Sequence, residues 1–273
     1  MSAKGLFVRA VTHGLITNNT THYSPTSFVL DVANQCSIPI IGMEDPQPPS
    51  CKFILNASEQ DGVSLQSIGT NMKPSRCDFI NDLEIINRIK YGYTVKDPFI
   101  KAFTVNNLKR AETRVLDATA GMGRDSFVLS SFGFKMILVE RNPIVYMLLK
   151  DGYERAKHQF GNVSSVIHAD SINYLNHINV EDPNRPHVVY LDPMFEKHGK
   201  QRATKRSISM LRDIIDVERD NHQLSQLIEA ASRVAIRKVI IKRNKSAPIH
   251  PNVKHSFVAR DTRFDMIVTT DLI

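Results

Sequence analysis

Little in this chain invites a membrane, a disulfide or a metal. No apolar run approaches the ~20 residues needed to cross a bilayer. The first residues, Met1-Ser2-Ala3-Lys4-Gly5-Leu6-Phe7, lack the long apolar core of a secretory signal. The three cysteines, Cys36, Cys51 and Cys77, are odd in number, widely spaced and outside any Cys-x-x-Cys pattern. That argues for reduced thiols rather than disulfides or zinc ligands. The histidines show no ligand spacing, so no metal site is expected. Internal repeats and long low-complexity segments are missing too. These absences together predict a cytoplasmic protein with neither a membrane nor a metal partner.

What is present is ordinary in amount and uneven in placement. A chain of 273 residues can bury one large core and carry a second, smaller domain. The net charge is +7. Residues 1–80 hold 5 Lys/Arg against 6 Asp/Glu, whereas residues 81–273 hold 30 against 22. The positive excess therefore belongs to the second stretch, and it suits a polyanionic partner or simply a solvated face.

The two stretches also differ in pattern. In residues 1–80, short apolar runs such as Phe28-Val29-Leu30 and Phe53-Ile54-Leu55 lie between Pro, Ser, Asn and Gly clusters. They predict a small N-terminal α/β domain of short strands and one helix. Within residues 81–273 the pattern becomes regular from about residue 112. Strands are predicted at 114–116, 135–139, 163–167, 187–191, 238–241 and 266–269. Helices are predicted at 126–132, 144–157, 172–178 and 224–235. Strands alternating with helices mean parallel crossovers, hence a doubly wound, Rossmann-like α/β sheet. Ligands of such sheets bind at the carboxyl ends of the strands.

Two motifs begin where predicted strands end. The first is Val115-Leu116-Asp117-Ala118-Thr119-Ala120-Gly121-Met122-Gly123-Arg124-Asp125. Gly121 and Gly123 let backbone approach a ligand, and the following helix offers free N–H groups. Asp117 could reach a ligand amine, directly or through water. Glu140, at the end of the next strand, suits the two hydroxyls of a ribose. Asp170, at the end of the third, suits an adenine amino group. A nicotinamide site wants Gly-x-Gly-x-x-Gly, but here the third position is Ser126 and Asp125 would repel a pyrophosphate. Asp117 and Asp125 can also be read as helix caps or loop braces.

The second motif is Val188-Val189-Tyr190-Leu191-Asp192-Pro193-Met194-Phe195. An exocyclic amine on a nucleobase is a poor nucleophile, because its lone pair is conjugated into the ring. Asp192 and the Pro193 carbonyl can accept its N–H bonds as charge develops, and Phe195 offers a stacking face. The plain alternatives are an Asp-Pro turn and a core phenylalanine. A basic run follows, with Lys197, Lys200, Arg202, Lys205 and Arg206, and a second cluster includes Lys242 and Arg243. Both could bind phosphates, or be charged surface and strand-edge residues. The two motifs together predict methyl transfer from S-adenosylmethionine to a base amine.

The strings 117–125, Glu140-Arg141-Asn142-Pro143, 189–195, Val239-Ile240-Ile241-Lys242-Arg243 and Arg263-Phe264-Asp265 resemble the bacterial 16S rRNA guanine-N2 methyltransferases of the J type. The resemblance covers about residues 85–270. It implies a class I methyltransferase fold and a guanine near the 3′ end of 16S rRNA, on free rRNA or on the small ribosomal subunit. It further implies cofactor contacts by Arg124, Asp125, Glu140, Arg141, Asp170, Ser171 and Asp192. One departure stands out. The family carries a glycine-rich basic stretch before its core domain, where this chain has Lys90-Tyr91-Gly92-Tyr93-Thr94-Val95-Lys96-Asp97-Pro98. Adenine N6 in RNA or DNA is the alternative target. A non-catalytic RNA-binding assembly factor is the alternative role. A nicotinamide oxidoreductase is disfavoured by the missing third glycine.

Overall fold

The computed structural model describes residues 6–10, 23–42, 45–46, 48–92, 94–157, 162–193 and 221–269. The chain divides into two compact units. One holds the described residues up to 78 together with residues 142–156; the other holds residues 79–141, 157–193 and 221–269.

The first unit is a small α/β unit. Strands β1 (Leu6–Ala10), β2 (Ile40–Ile41), β3 (Phe53–Ser58) and β4 (Gly62–Ser67) form a sheet in the order β2-β1-β3-β4. The β1 pairings are parallel, and β3–β4 is an antiparallel hairpin. Phe53-Ile54-Leu55 lies in a strand as its composition suggests. Phe28-Val29-Leu30 lies in helix α1 (Pro25–Gln35). Ser24 caps that helix by accepting from Ser27 N at 3.2 Å, and Pro25 supplies a preset φ at its first turn.

The helix at residues 143–156 belongs to this unit. Its Asp151 is fully buried and still satisfied. It accepts from Val63 N at 3.0 Å, Arg155 Nε at 2.9 Å and Tyr23 Oη at 3.3 Å. Arg155 also donates to the Cys77 carbonyl at 2.6 Å. One residue on, Gly152 leaves room for that same segment: a Cβ there would lie 2.5 Å from Cys77 Cβ and 2.8 Å from its carbonyl oxygen.

The second unit is built on seven strands. Before the sheet come α2 (Leu83–Asn87), which runs into a π-turn at Arg88–Gly92, and α3 (Pro98–Phe103). The Lys90–Pro98 stretch thus ends at a helix start, where Asp97 Oδ1 accepts from Phe99 N at 2.7 Å. The elements that follow are β5 (Arg114–Asp117), α4 (Arg124–Ser131) and β6 (Lys135–Glu140). Helix α5 (Pro143–Ala156), already described, lies between β6 and β7 (Val163–His168). Then come α6 (Ser171–His177), β8 (Val188–Leu191), α7 (Asn221–Val234), β9 (Lys238–Asn244), β10 (His255–Val258) and β11 (Thr262–Val268).

The sheet order is β10-β11-β9-β8-β5-β6-β7, with β9 to β7 parallel and β11 and β10 antiparallel at one end. The fold is the expected doubly wound α/β sheet. From β5 the chain proceeds outward to β7, then returns to β8 on the other side of β5. The switch point therefore lies between β5 and β8, and the ends of these two strands carry the two motifs. Alternation along β8 serves both faces. Val189 and Leu191 pack with Leu224, Leu227 and Ile228 of α7, whereas Tyr190 meets Phe103 of α3 at 5.1 Å between ring centroids.

The last strand begins four residues earlier than its apolar pattern suggests, at Thr262 rather than Met266. Its first half carries a buried ion pair. Arg263 meets Asp265 at 2.6 and 2.9 Å and donates to the carbonyls of Lys245 and Ala247 at 2.9 and 3.0 Å. A charge so fully partnered is tolerated inside a sheet but hides the strand from a periodicity reading.

Gly152→Ala should destabilise the protein by about 1–3 kcal/mol through overpacking, although alanine is the better helix former by ~1 kcal/mol. Urea unfolding checks this, and a stabilised variant would contradict the close packing at Cys77.

Candidate active site at the switch point

The loop after β5 is shaped by its glycines. Gly121 and Gly123 have φ of +54° and +69°, the left-handed region that a side chain resists. Among the described residues a Cβ on Gly121 would find only the Thr119 carbonyl, at 3.9 Å, whereas the backbone conformation itself favours glycine. Gly123 is the N-cap residue of α4, which starts with Arg124 and Asp125.

Neighbouring strands hold this loop from both sides. Ala118 N donates to the Tyr190 carbonyl at 3.0 Å, and Ala120 N donates to the Val139 carbonyl at 3.1 Å. Gly121 N donates to Glu140 Oε2 at 2.9 Å. Asp192 N donates to Thr119 Oγ1 at 2.6 Å. Ser171 Oγ donates to the Ala118 carbonyl, so this buried hydroxyl is committed to the loop backbone.

Asp117 lies beneath the loop and is 2% exposed. It accepts from Ser126 Oγ at 2.5 Å and Thr119 N at 3.1 Å. This is the geometry of a brace, the alternative that the sequence left open. Burial pushes its pKa up to about 7; the Ser126 and Thr119 bonds pull it down, and the Asp125 and Asp192 charges push it up.

Above the switch point lies a charged cluster. Lys242 Nζ, on β9, sits 2.6 Å from Asp125 Oδ2 and 2.8 Å from Asp192 Oδ2. Tyr190 Oη donates to the same Asp125 oxygen at 2.7 Å. Burial alone would depress the Lys242 ammonium, but the two carboxylates outweigh it and push its pKa up. Burial raises Asp192, while Lys242 opposes that rise. Tyr190 is fixed as a phenol, first by burial and then by the surrounding carboxylates. Lys242 is thus engaged by two carboxylates inside the cluster rather than displayed to a polyanion.

The remaining predicted residues spread along the same edge. Arg124 reaches Asp82 at 2.7 Å. Asp170 caps α6 through Asn173 N at 3.0 Å and lines a pocket with Arg141, Ile172, Gln223 and Gln226. Pro193 is buried directly after Asp192, and Arg243 is half-buried on β9. Phe195, Lys197, Lys200, Arg202, Lys205 and Arg206 lie outside the described residues. Sequence reading missed Thr119, Ser126, Tyr190, Gln223 and Gln226. Tyr190 left one signal, a hydroxyl-bearing residue in an apolar strand just before Asp192.

The described residues fit a nucleoside-like cofactor. Carboxylates stand at the ends of β5, β6 and β8, a glycine loop opens between them, and the Asp170 pocket combines an aliphatic wall with amide and carboxylate groups. Among the described residues no cluster of three or more His, Cys, Asp or Glu could hold a metal ion, and no helix is long and apolar enough to cross a membrane.

Comparison with known proteins gives the same picture. Residues 42–269 match the profile of the SAM-dependent methyltransferase family. A ribosomal RNA small subunit methyltransferase J from Pseudomonas fluorescens is 34% identical over 221 residues, covering 79% of this chain and 82% of the relative. A protein of the same name from Desulfotalea psychrophila is 32% identical over 261 residues, covering 89% and 91%. The crystal structure of a SAM-dependent methyltransferase from Neisseria gonorrhoeae shares the fold, with a TM-score of 0.65 at 21% identity over 98% of this chain and 97% of that one.

Asp117 gives a test by pH. Its folded pKa of about 7 exceeds the ordinary 3.8, so folding takes up a proton between those values. Stability attributable to the protonated group is full below pH 4 and is lost as pH rises toward 7. Asp117→Asn does not titrate, so between pH 5 and 7 it should gain on the wild type by about 2 kcal/mol in urea unfolding. Parallel stability curves would contradict the buried carboxyl.

Proposed function

This chain belongs to the ribosomal RNA small subunit methyltransferase J family, and from that premise we propose that it methylates the exocyclic N2 amine of a guanine near the 3′ end of 16S rRNA. S-adenosylmethionine is the methyl donor of the SAM-dependent family to which it belongs. Bound at the switch point, it supplies a methyl group activated on a cationic sulfur. One observation carries the reading: Asp192, the acceptor required by a base amine, is hydrogen-bonded through its backbone to the glycine loop that suits the cofactor.

The chain's residues divide the work. Gly121, Gly123, Arg124 and Asp125 frame the cofactor from the loop and the start of α4, with Asp117 bracing them from below. Glu140 and Arg141 face the ribose, and Asp170 and Ser171 border the adenine side. Asp192 accepts an N–H bond from the target amine, and the Pro193 carbonyl accepts the second. This draws the nitrogen lone pair out of conjugation and stabilises the positive charge that develops there. Phe195 stacks on the base. Lys197, Lys200, Arg202, Lys205, Arg206 and Arg243 bind the RNA backbone. Such contacts make affinity fall with salt. Residues 81–273 carry this chemistry except for helix α5, which belongs with residues up to 78 in the first unit rather than with a division at residue 80. The substrate is 16S rRNA or the small ribosomal subunit, which places the enzyme in the cytoplasm. The reading assigns no role to a metal or a membrane.

Methyl transfer from tritiated S-adenosylmethionine to 30S subunits and to naked 16S rRNA, each from cells lacking the gene, tests this. Mass spectrometry of the nucleosides should show N2-methylguanosine. N6-methyladenosine would move the target to adenine, and cofactor binding without incorporation would remove rRNA as the substrate. Asp192→Ala should lower the rate at least ~10²-fold while remaining folded. Retained turnover in that variant would overturn the assignment of Asp192.

A further inference from the structure

We propose that Lys242 is a positioning residue for methyl transfer, holding Asp192 ionised and aimed at the target amine. This rests on the functional reading above. Ile241 of β9 stands opposite Leu191 of β8, so Lys242 follows immediately beside Asp192. On its other side Lys242 pairs with Phe264 of β11. Its Cα is therefore fixed by two strands, and only the side chain must be placed.

The placement meets an electrostatic need. Asp125 and Asp192 both contact one ammonium, at 2.6 and 2.8 Å, so their carboxylates lie close to one another. Like charges at such separation push each other toward protonation. Asp117, on β5, adds a third carboxyl, and Tyr190, on β8, contributes a neutral hydroxyl to Asp125. Among the described residues, Lys242 is the cation that ion-pairs with Asp192. A protonated Asp192 would keep an acceptor oxygen but lose the negative charge that stabilises the developing cation. Lys242 also fixes the direction of Asp192, because Thr119 holds only its backbone.

The arrangement differs from a lysine that binds phosphate. The ammonium is turned into the cluster and its side chain is 28% exposed. Its removal should act on the reaction through Asp192 rather than on RNA affinity. The acid limb of the rate profile reads this directly. Asp192 works as the anion, so losing the nearby cation raises its pKa and moves the limb to higher pH.

The test compares wild type with Lys242→Met, Lys242→Gln and Lys242→Arg, measuring kcat on 30S subunits across pH 6–9.5. In the neutral variants the acid limb should move up by about one pH unit or more, so kcat drops about tenfold near its foot and recovers toward high pH. KM for rRNA should change little, and Lys242→Arg should restore the limb. A uniform loss at every pH, or an unmoved limb, would overturn the proposal, as would a failure of both neutral variants to fold. Carbon-13 NMR titration of the Asp192 carboxyl, assigned with Asp192→Asn, reads the same shift without turnover. A wild type that is inactive on rRNA would therefore overturn the functional reading, while the titration still decides the role of Lys242.

Discussion

The structure turns on the satisfaction of one loop. Where parallel strands diverge at a switch point, their end groups lose their ladder partners, and a burial penalty of about 1–3 kcal/mol attaches to any group left unpaired. Residues 118–123, with two glycines in left-handed conformation, close one turn of their own, Gly123 N to the Ala120 carbonyl at 2.8 Å, and leave other groups to be paired from outside. The neighbours supply the partners: Tyr190 and Asp192 from β8 and its end, Val139 and Glu140 from β6, and Ser171 from α6. Each bond is worth only about 0.5–1.5 kcal/mol net. Together they fix the loop to the ends of both adjacent strands and to the helix after β7, and so set where every other group of the site can stand.

Charge is organised around that frame. Asp117 is withdrawn beneath the loop and neutralised in part by burial, and it braces Ser126 and Thr119. Asp125 and Asp192 remain above and share Lys242. The site thus separates three carboxyls by depth, one inside and two at the crevice, and balances the outer pair with one cation and one phenol. Buried carboxyls need such partners, since desolvation otherwise returns them to the neutral acid. The first unit repeats the principle at Asp151, where three donors compensate complete burial.

Much of this was readable in sequence, for a physical reason. The strands β5, β6 and β8 are apolar runs ending abruptly in polar residues, β7 carries apolar residues around two serines, and α5 and α7 have clear helical spacing, so pattern found them within one to three residues. What escaped had its cause in distant partners. Lys242 reads as one more surface cation, because its carboxylates lie 117 and 50 residues away. Arg263 and Asp265 conceal half of β11 by cancelling each other. The half-exposed strand β10 lacks an apolar stripe. Asp117 could be placed at a strand end, but whether it faces ligand or loop depends on Ser126, which pattern reading weighed only as a failed glycine. In the N-terminal unit, Phe28-Val29-Leu30 is equally compatible with strand and helix, and the Ser24-Pro25 cap decides it.

The bond from Asp192 N to Thr119 Oγ1 has a thermodynamic meaning as well as a structural one. The two loops it joins follow different strands, β5 and β8. A ligand that makes or breaks this bond by reshaping one loop shifts the conformational equilibrium of the other, and linkage makes that influence reciprocal and equal in free energy. Coupling between the loops then exists to the extent that a ligand discriminates between the bonded and the broken arrangement of this single hydroxyl, and that preference sets its sign.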